Sequence, residues 1–251
     1  MNICLFYQNE LNSPLPKKDE RAQHIVKVLH KKAGDSFDAG IIGGKSGKAT
    51  ITKIDEDGNI FFDFEPLGNG KELYPLTLII GFPRPIQLKR LLRDVAGLGA
   101  EKVILTGTEL TEKSYLDSNV VADGSAYRML LDGTVQAAST HVPELVVRRT
   151  LADTLKSELS PSAPNVVRVA LDNRRATMSL HDWLEKNFSG GTKPTAVIAA
   201  IGSERGWTEN ERDELENSGF TLCSLGKRIL RTETAATVAS SIILDKQGFL
   251  D

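Results

Sequence analysis

The chain has 251 residues, of which 40% are hydrophobic and 25% are charged. This composition is typical of a globular protein with one large or two modest domains, and it excludes a disordered chain and a fibrous repeat. The formal net charge is only −2, but residues 17–53 carry nine basic and four acidic side chains. This local excess of five positive charges suits a phosphate-bearing partner, although a solvated surface of mixed charges is the alternative.

The cysteines and the apolar segments give no indication of a metal site or a membrane segment. Cys4 and Cys223 form no CxxC motif, and no Cys/His cluster has the spacing of a zinc site. Apolar stretches such as residues 197–201 are far shorter than the ~18 residues of a membrane span. The N-terminal sequence MNICLFYQNE lacks the basic region of a signal peptide. We therefore expect a cytoplasmic protein without a metal site.

The first 70 residues are predicted to form a small β-rich domain around one helix. The helix is expected at residues 20–31, where Ile25, Val28 and Leu29 recur at helical spacing. β-branched and aromatic residues, separated by Gly, Asp and Asn, predict strands at residues 3–7, 36–42, 48–54 and 59–65. The turn-forming sequence PLGNG at residues 66–70 then indicates a domain boundary, which divides the chain into residues 1–70 and 71–251.

From residue 71 onward, apolar strands alternate with amphipathic helices. Strands are predicted at residues 76–82, 102–106, 145–148, 166–171, 196–201 and 220–225, and helices at 86–97, 125–138, 179–188 and 208–218. Such alternation predicts an α/β domain with a largely parallel sheet. Ligands bind beyond the carboxyl ends of the strands in these sheets, so the loops after Leu171, Ile201 and Leu225 are the candidate binding loops.

Two glycine-containing sequences resemble nucleotide-binding motifs but do not match them. GGKSGK at residues 43–48 is not a P-loop, because Ile42 stands where a glycine is needed and Ala49 where Ser or Thr is needed. It also lies between two predicted strands. Gly97-Leu98-Gly99 follows a helix rather than a strand and is interpreted as a helix C-terminal stop.

The loop IGSERGWTENE at residues 201–211 leads from a buried strand into a helix capped by Thr208 and Glu211. Gly202 and Gly206 allow the backbone to approach a ligand, and the first amides of the helix favour an acceptor group. Because a strand-to-helix turn commonly needs glycines, a purely structural role is the alternative.

The loop LGKRILRTETA at residues 225–235 concentrates three cations, Lys227, Arg228 and Arg231, ahead of a helix with Thr232 as its predicted N-cap. The helix that follows is small and apolar on all faces, so it must be buried. Cations in front of a buried helix, close to a glycine-containing loop, indicate an anionic or nucleotide ligand rather than a solvated surface.

The two C-terminal motifs, GSERGWT and SLGKRILRTETA, together resemble the closing signature of the bacterial small-subunit ribosomal RNA uridine N3-methyltransferases. These are SPOUT-class enzymes that use S-adenosylmethionine. HIVKVLH at residues 24–30 resembles the motif of their N-terminal RNA-binding domain. The resemblance implies a PUA-like β-barrel followed by a trefoil-knotted parallel sheet with helices on both faces. It also implies a homodimer that acts on ribosomal RNA or the small ribosomal subunit.

The resemblance further implies roles for particular residues. The cofactor would contact Leu171, Ile201, Gly202, Ser203, Glu204, Gly206, Leu225, Gly226, Arg228, Ile229 and Leu230. Arg231 would stabilise the negative charge that develops on the uracil ring, and Glu233 or Glu204 would accept the proton. RNA phosphates would contact Arg21, His24, Lys27, Lys31, Lys32 and Arg205.

The chain departs from the family pattern at several positions. Ser203 stands where the family has a proline, and Arg205 where it has a glycine. Gly97 stands where the family has a glutamate, and Lys113 and Ser139 each stand where it has an arginine. A SPOUT enzyme for another RNA or another atom, such as a ribose 2′-oxygen, therefore stays open. So does a non-catalytic RNA-binding or ribosome-assembly protein. A nicotinamide oxidoreductase is disfavoured because the glycine fingerprint is missing.

Overall fold

The computed structural model describes residues 2–118, 120, 123–159, 165–190 and 193–250. The chain forms two compact units, Met1–Glu72 with Leu131–Val142, and Leu73–Leu130 with Pro143–Asp251. The first division lies two residues after the predicted boundary, and the segment Leu131–Val142 groups with the first unit. The reason is a pair of long-range hydrogen bonds: Thr140 Oγ1 donates to the Gly44 carbonyl at 2.6 Å, and the Gly43 N–H donates to the Thr140 carbonyl at 2.8 Å.

The first unit contains one four-stranded sheet in the order β1-β2-β3-β4. Its strands are β1 Cys4–Phe6, β2 Ser36–Ile41, β3 Lys45–Ile54 and β4 Ile60–Asn69. β1 pairs with β2 in parallel, and the other pairs are antiparallel. Between β1 and β2 lie a 3-10 helix Gln8–Glu10, helix α1 Glu20–Gln23 and a π-helix His24–Val28. Phe6, Ile25, Ile51 and Phe62 form much of the core.

One local prediction in this unit was wrong. The helix predicted at residues 20–31 changes after one turn into the π-helix, and the chain leaves helical geometry at His30, whose φ is +53°. The PLGNG sequence forms strand rather than turn, because β4 continues through it and its residues Gly68 and Asn69 pair with β3. The rejection of a P-loop is confirmed, since residues 43–48 belong to the β2–β3 hairpin.

Arg21 is the central polar residue of the first unit. Its guanidinium donates to Glu10 at 2.6 Å, to Asp19 at 2.8 Å and to the Leu5 carbonyl at 2.8 Å, and it lies 5.0 Å from the centre of the Phe6 ring. Hydrogen bonds from Arg21 are the largest cause of the lowered pKa of both carboxyl groups. The donors of Arg21 are therefore used inside the protein, and its predicted contact with RNA phosphate stays a prediction.

The second unit is an α/β domain with a seven-stranded parallel sheet in the order β7-β6-β5-β10-β8-β11-β9. The strands are β5 Tyr74–Gly81, β6 Ala100–Thr106, β7 Glu144–Arg148, β8 Val166–Leu171, β9 Met178–Ser179, β10 Ala196–Ile201 and β11 Thr221–Ser224. Among the described residues, the helices from residue 73 onward are α2 Pro85–Gly97, α3 Lys113–Leu116, α4 Ser125–Gln136, α5 Leu151–Glu158, α6 Leu180–Phe188, α7 Glu209–Asn217 and α8 Thr232–Gln247, and the residues of α4 from Leu131 onward group with the first unit. The predicted α/β class is thus confirmed.

Successive side chains of a strand point to opposite faces of the sheet, so each face can pack against helices. The helices accordingly form two groups, one on each face. Helix α8 packs against α2, α6, β5 and β10, and α5 packs against α7. Ile79, Ala170 and Ala200 lie in the core cluster that includes Leu151 of α5 and Leu215 of α7. The sequence analysis missed α5, which begins where the Thr150 hydroxyl accepts a hydrogen bond from the Asp153 N–H.

In the described part of the chain, no helix is long and apolar enough to cross a membrane. The same residues contain no group of three or more His, Cys, Asp or Glu placed to hold a metal ion. Cys4 and Cys223 are both free and buried, and burial raises the pKa of each thiol to about 12.

We predict that Arg21→Met lowers the stability of the first unit by about 2 kcal/mol, because it leaves two partly buried carboxylates without their partner. Amide hydrogen exchange of β1 and β2 measures this local stability. Lys18→Met, a matched change of an exposed cation in the preceding turn, should leave exchange unchanged. Equal protection in wild type and Arg21→Met would contradict the prediction.

Candidate functional site

The three candidate loops meet around one cavity of about 530 Å³ in the second unit. The loops follow β8, β10 and β11, and Leu110 and the first turns of α8 complete the lining. All the residues that the sequence analysis assigned to the cofactor line this cavity, namely Leu171, Ile201, Gly202, Ser203, Glu204, Gly206, Leu225, Gly226, Arg228, Ile229 and Leu230. The geometry therefore brings the predicted residues together, and their contact with a cofactor stays a prediction.

The loops converge because β10, β8 and β11 are adjacent and parallel. Parallel neighbours end at the same edge of a sheet, so the segments after Leu171, Ile201 and Ser224 emerge side by side. The start of α8 is joined to this edge where the buried Thr232 hydroxyl donates to the Gly202 carbonyl at 3.3 Å.

Glycines leave bare backbone at the cavity wall. Gly206 and Gly226 have φ values of +75° and +101°, and a Cβ atom at either position would meet no atom within 4 Å. These backbone conformations are strained for other residues. Gly206 closes a tight turn in which its N–H donates to the Ser203 carbonyl at 2.9 Å. The result is a cradle of accessible N–H and C=O groups.

A buried ion pair holds the loop after β8. Asp172 and Arg212 are each 2% exposed at the side chain, and Arg212 Nε donates to Asp172 Oδ2 at 2.8 Å. Next to this pair, Trp207 Nε1 donates to the Leu171 carbonyl at 3.0 Å. Asp172 lines the cavity, so the ion pair joins one wall of the site to helix α7.

The pKa of Asp172 is lowered although the residue is buried. Burial alone would raise the pKa of this carboxyl, but hydrogen bonds from the Arg175 and Arg174 N–H groups and from the Arg212 guanidinium together outweigh it. Asp172 is therefore ionised at neutral pH and is committed to holding the loop.

Two glutamates connect the 201–211 loop to neighbouring segments. Glu204 lines the cavity, and its Oε1 accepts a hydrogen bond from the Arg84 N–H at the start of α2 at 2.8 Å. Glu211 is buried and forms the predicted capping box with Thr208, while its Oε1 accepts from the Glu109 N–H at 2.8 Å. The capping box is confirmed, and it also ties the loop after β6 to α7.

The remaining predicted residues of this unit lie at or near the rim. Arg231, rather than the predicted Thr232, is the N-cap of α8, and its side chain is exposed between two residues that line the cavity. Glu233, in the first turn of α8, is only 6% exposed and does not line the cavity. Arg205 lines the cavity, and its side chain is 67% exposed. Its Nη2 atom lies 3.9 Å from Glu112 Oε1.

The predicted RNA-binding residues of the first unit, apart from Arg21, remain accessible. Lys27 and Lys32 are exposed, and His24 and Lys31 are half-buried. The sequence analysis missed Asp172, Asn173 and Arg174 in the lining, although it had selected the loop after Leu171. Polar residues directly after a buried parallel strand are the signal that could have found them.

Comparisons with known proteins identify both units. An RNA methyltransferase domain matches residues 70–244, and an RNA methyltransferase PUA domain matches residues 18–63. The first match covers the sheet and the cavity, and the second confirms the predicted PUA-like N-terminal domain. The chain therefore contains an RNA methyltransferase domain and an RNA methyltransferase PUA domain.

Two curated relatives narrow the assignment. The chain is 40% identical to the ribosomal RNA small subunit methyltransferase E of Treponema pallidum, covering 97% of this chain and 91% of the relative. It is 33% identical to the ribosomal RNA small subunit methyltransferase E 1 of Borreliella burgdorferi, and the match covers 97% of each chain. The chain belongs to the ribosomal RNA small subunit methyltransferase E family.

A solved structure supports the same fold. The ribosomal RNA small subunit methyltransferase E from Neisseria gonorrhoeae, bound to S-adenosyl methionine, matches with a TM-score of 0.76. The two chains are 20% identical, and the match covers 98% of this chain and 97% of that one.

We predict that Asp172→Asn lowers the free energy of unfolding of the second unit by about 2 kcal/mol, because the buried Arg212 then keeps only the exposed Glu209, at 2.8 Å, as an ion-pair partner. Both tryptophans, Trp183 and Trp207, lie in this unit, so their fluorescence in urea measures the loss. Asp94→Asn, which removes an exposed partner of Arg90, should change stability by less than about 0.5 kcal/mol.

The same variant has a predicted pH dependence. The pKa of Asp172 is lower in the folded chain than in the unfolded chain. The stabilisation by its carboxylate is therefore complete above the pKa in the unfolded chain and is lost as the pH falls through the pKa in the folded chain. The stability difference between wild type and Asp172→Asn should therefore shrink below about pH 5. A difference that grows with acidification would contradict the assignment.

Proposed function

We propose that this chain transfers a methyl group from S-adenosylmethionine to the N3 ring nitrogen of a uridine in small-subunit ribosomal RNA. The observation that carries the proposal is the cavity shared by the three loops, in a chain of this family. The substrate and cofactor also suggest a cytoplasmic location. The proposed function accounts for the cavity and for the basic segment of the first unit.

The residues present fit this cofactor. The cavity of about 530 Å³ lies within the range of roughly 300–1,000 Å³ that is usual for small-molecule sites. Leu171, Leu225 and Leu230 supply apolar surface for an adenine ring, and the bare backbone at Gly226 supplies hydrogen-bonding groups. When bound, S-adenosylmethionine supplies an electrophilic methyl group, so the main task of the protein is to hold the acceptor in line.

Arg231 is the residue that we assign to charge stabilisation. The acceptor nitrogen of uracil loses a proton during the reaction, which places negative charge on the flanking carbonyl oxygens. Arg231 is exposed, and although it does not itself line the cavity, its neighbours Leu230 and Thr232 do, so we place its guanidinium within reach of such an oxygen. A cation that stabilises charge developing in the transition state lowers the barrier directly.

Glu204 is better placed than Glu233 to accept the proton. Glu204 is exposed and lines the cavity, and the hydrogen bond from Arg84 occupies Oε1. Glu233 is buried outside the lining, in the first turn of α8, where the helix dipole favours a carboxylate without any catalytic role.

We also infer the trefoil knot and the homodimer that the family resemblance implies. The packing of α8 against β5 and β10 places this last helix against the middle strands of the sheet, where the family resemblance puts the knot. Ile86 and Ile229 are 82% and 85% exposed, as expected of apolar residues that a second copy covers. Sedimentation equilibrium tests the dimer, and a mass of one chain at micromolar concentration would contradict it.

The experiment that tests the proposed function is nucleoside mass spectrometry of ribosomal RNA from cells without this gene, compared with the parent strain. We expect 3-methyluridine to disappear and to return on complementation. Loss of a different methylated nucleoside would overturn the N3-uridine assignment, and an unchanged profile would favour a non-catalytic RNA-binding protein.

We predict that Ala235→Leu weakens S-adenosylmethionine binding more than tenfold, because the half-buried Ala235 lines the cavity and a larger side chain would occupy its volume. Isothermal titration calorimetry measures the affinity. The matched control is Thr234→Leu, at an exposed position of the same helix, which should bind normally. Unchanged affinity in Ala235→Leu would remove this cavity as the cofactor site.

We predict that Arg231→Ala reduces methyl transfer at least a hundredfold while cofactor affinity stays unchanged, because the variant loses transition-state stabilisation only. Arg231→Lys should recover part of the rate, since it keeps the charge without the planar fork. Lys227→Ala, an exposed cation of the same loop, is the control. Retention of more than a tenth of the activity in Arg231→Ala would exclude Arg231 from the reaction.

A further inference from the structure

The first unit contains its own cavity, of about 330 Å³, which the methyl-transfer site does not use. Its floor is formed by Ile3, Cys4, Ile25 and Phe37, which are at most 5% exposed, and Leu29, which is 41% exposed, supplies the accessible apolar surface. Burial raises the pKa of the Cys4 thiol to about 12, so this floor is uncharged at neutral pH. The volume lies at the lower end of the range for small-ligand sites, which suits one nucleotide and excludes a duplex.

The π-helix His24–Val28 shapes one wall of this cavity. The Leu29 N–H donates to the His24 carbonyl at 3.0 Å, five residues back, and the turn places His24, Ile25 and Leu29 in the lining. His30 follows with a φ of +53°, which is uncommon for a residue with a Cβ atom. Single π-turns and left-handed non-glycine residues concentrate at functional sites.

The rim of the cavity is polar and carries one available cation. Lys48 is neutralised by Asp38, at 2.8 Å, and Ser36 Oγ is hydrogen-bonded to Thr50 Oγ1 at 2.9 Å. Among the described lining residues, Lys31 is therefore the lysine left outside an ion pair. An apolar surface beneath a rim with an unmatched cation is complementary to a nucleobase carrying its phosphate.

We propose that this cavity binds a single unpaired nucleotide of the RNA, with its base against the exposed Leu29 and its phosphate at Lys31. Sequence-specific RNA recognition usually targets unstacked bases in this way. The inference rests on the proposed function for the identity of the RNA. It adds a second point of attachment that selects RNA with an unpaired nucleotide.

The test compares two RNA hairpins of equal length in direct binding to the full-length protein, one with a single unpaired uridine in its stem and one fully paired. We expect about tenfold tighter binding of the first, the scale of one bound base. Two variants should reduce the preference to less than about twofold, namely Lys31→Ala and Ser36→Phe. Ser36→Phe fills the cavity from an exposed strand position without changing the charge.

The matched control is Lys53→Ala, which removes one exposed cation of β3 outside the cavity and should keep the preference. An equal affinity for both hairpins, or a preference that survives both cavity variants, would overturn the inference. Uridine monophosphate is the second probe. A nucleotide site is supported if uridine monophosphate competes with the hairpin that has the unpaired uridine for binding to wild type but not to Ser36→Phe.

The outcome is separable from that of the proposed function. Methyl transfer by wild type without any hairpin preference would remove the nucleotide site alone. A hairpin preference in a protein that leaves every ribosomal RNA nucleoside unchanged would remove the proposed reaction and retain the site.

Discussion

The candidate site depends on the adjacency of three parallel strands. β10, β8 and β11 are neighbours in the sheet although β10 follows β8 by 24 residues and β11 follows β10 by 19. Their carboxyl ends meet at one edge, so three loops that are remote in sequence line the same cavity. Another strand order would separate these loops, and the residues of each would then be ordinary turn residues.

Buried polar contacts then hold the loops in place, and the rim is left to exposed residues. The Asp172–Arg212 ion pair, the Glu211 capping box and the hydrogen bond from Thr232 to Gly202 all connect loops to helices. A site mounted on rigid elements is preorganised, which matters for a reaction controlled by alignment. Ser203, where the family has a proline, fits this arrangement because its hydroxyl accepts a hydrogen bond from Thr108.

Charge composition alone does not separate binding residues from structural ones. Arg21 and Lys31 belong to the same basic segment, yet Arg21 is committed to Glu10, Asp19 and Leu5, whereas Lys31 stands at the rim of a cavity. The distinction comes from the partners that the fold supplies. The guanidinium binds two carboxylates and a carbonyl that the fold brings together from Leu5, Glu10 and Asp19, and a count of positive charges does not reveal such partners.

By itself, the sequence determined the features that are encoded locally. β8 and β10 were predicted to the residue from their apolar runs, and the Thr208 capping box from its spacing. Family motifs selected the residues that line the cavity. Only the tertiary structure decided that Asp172 pairs with Arg212, that β4 runs through PLGNG, and that Thr140 belongs with the first unit. These depend on hydrogen bonds between segments far apart in the chain, which neither periodicity nor propensity records.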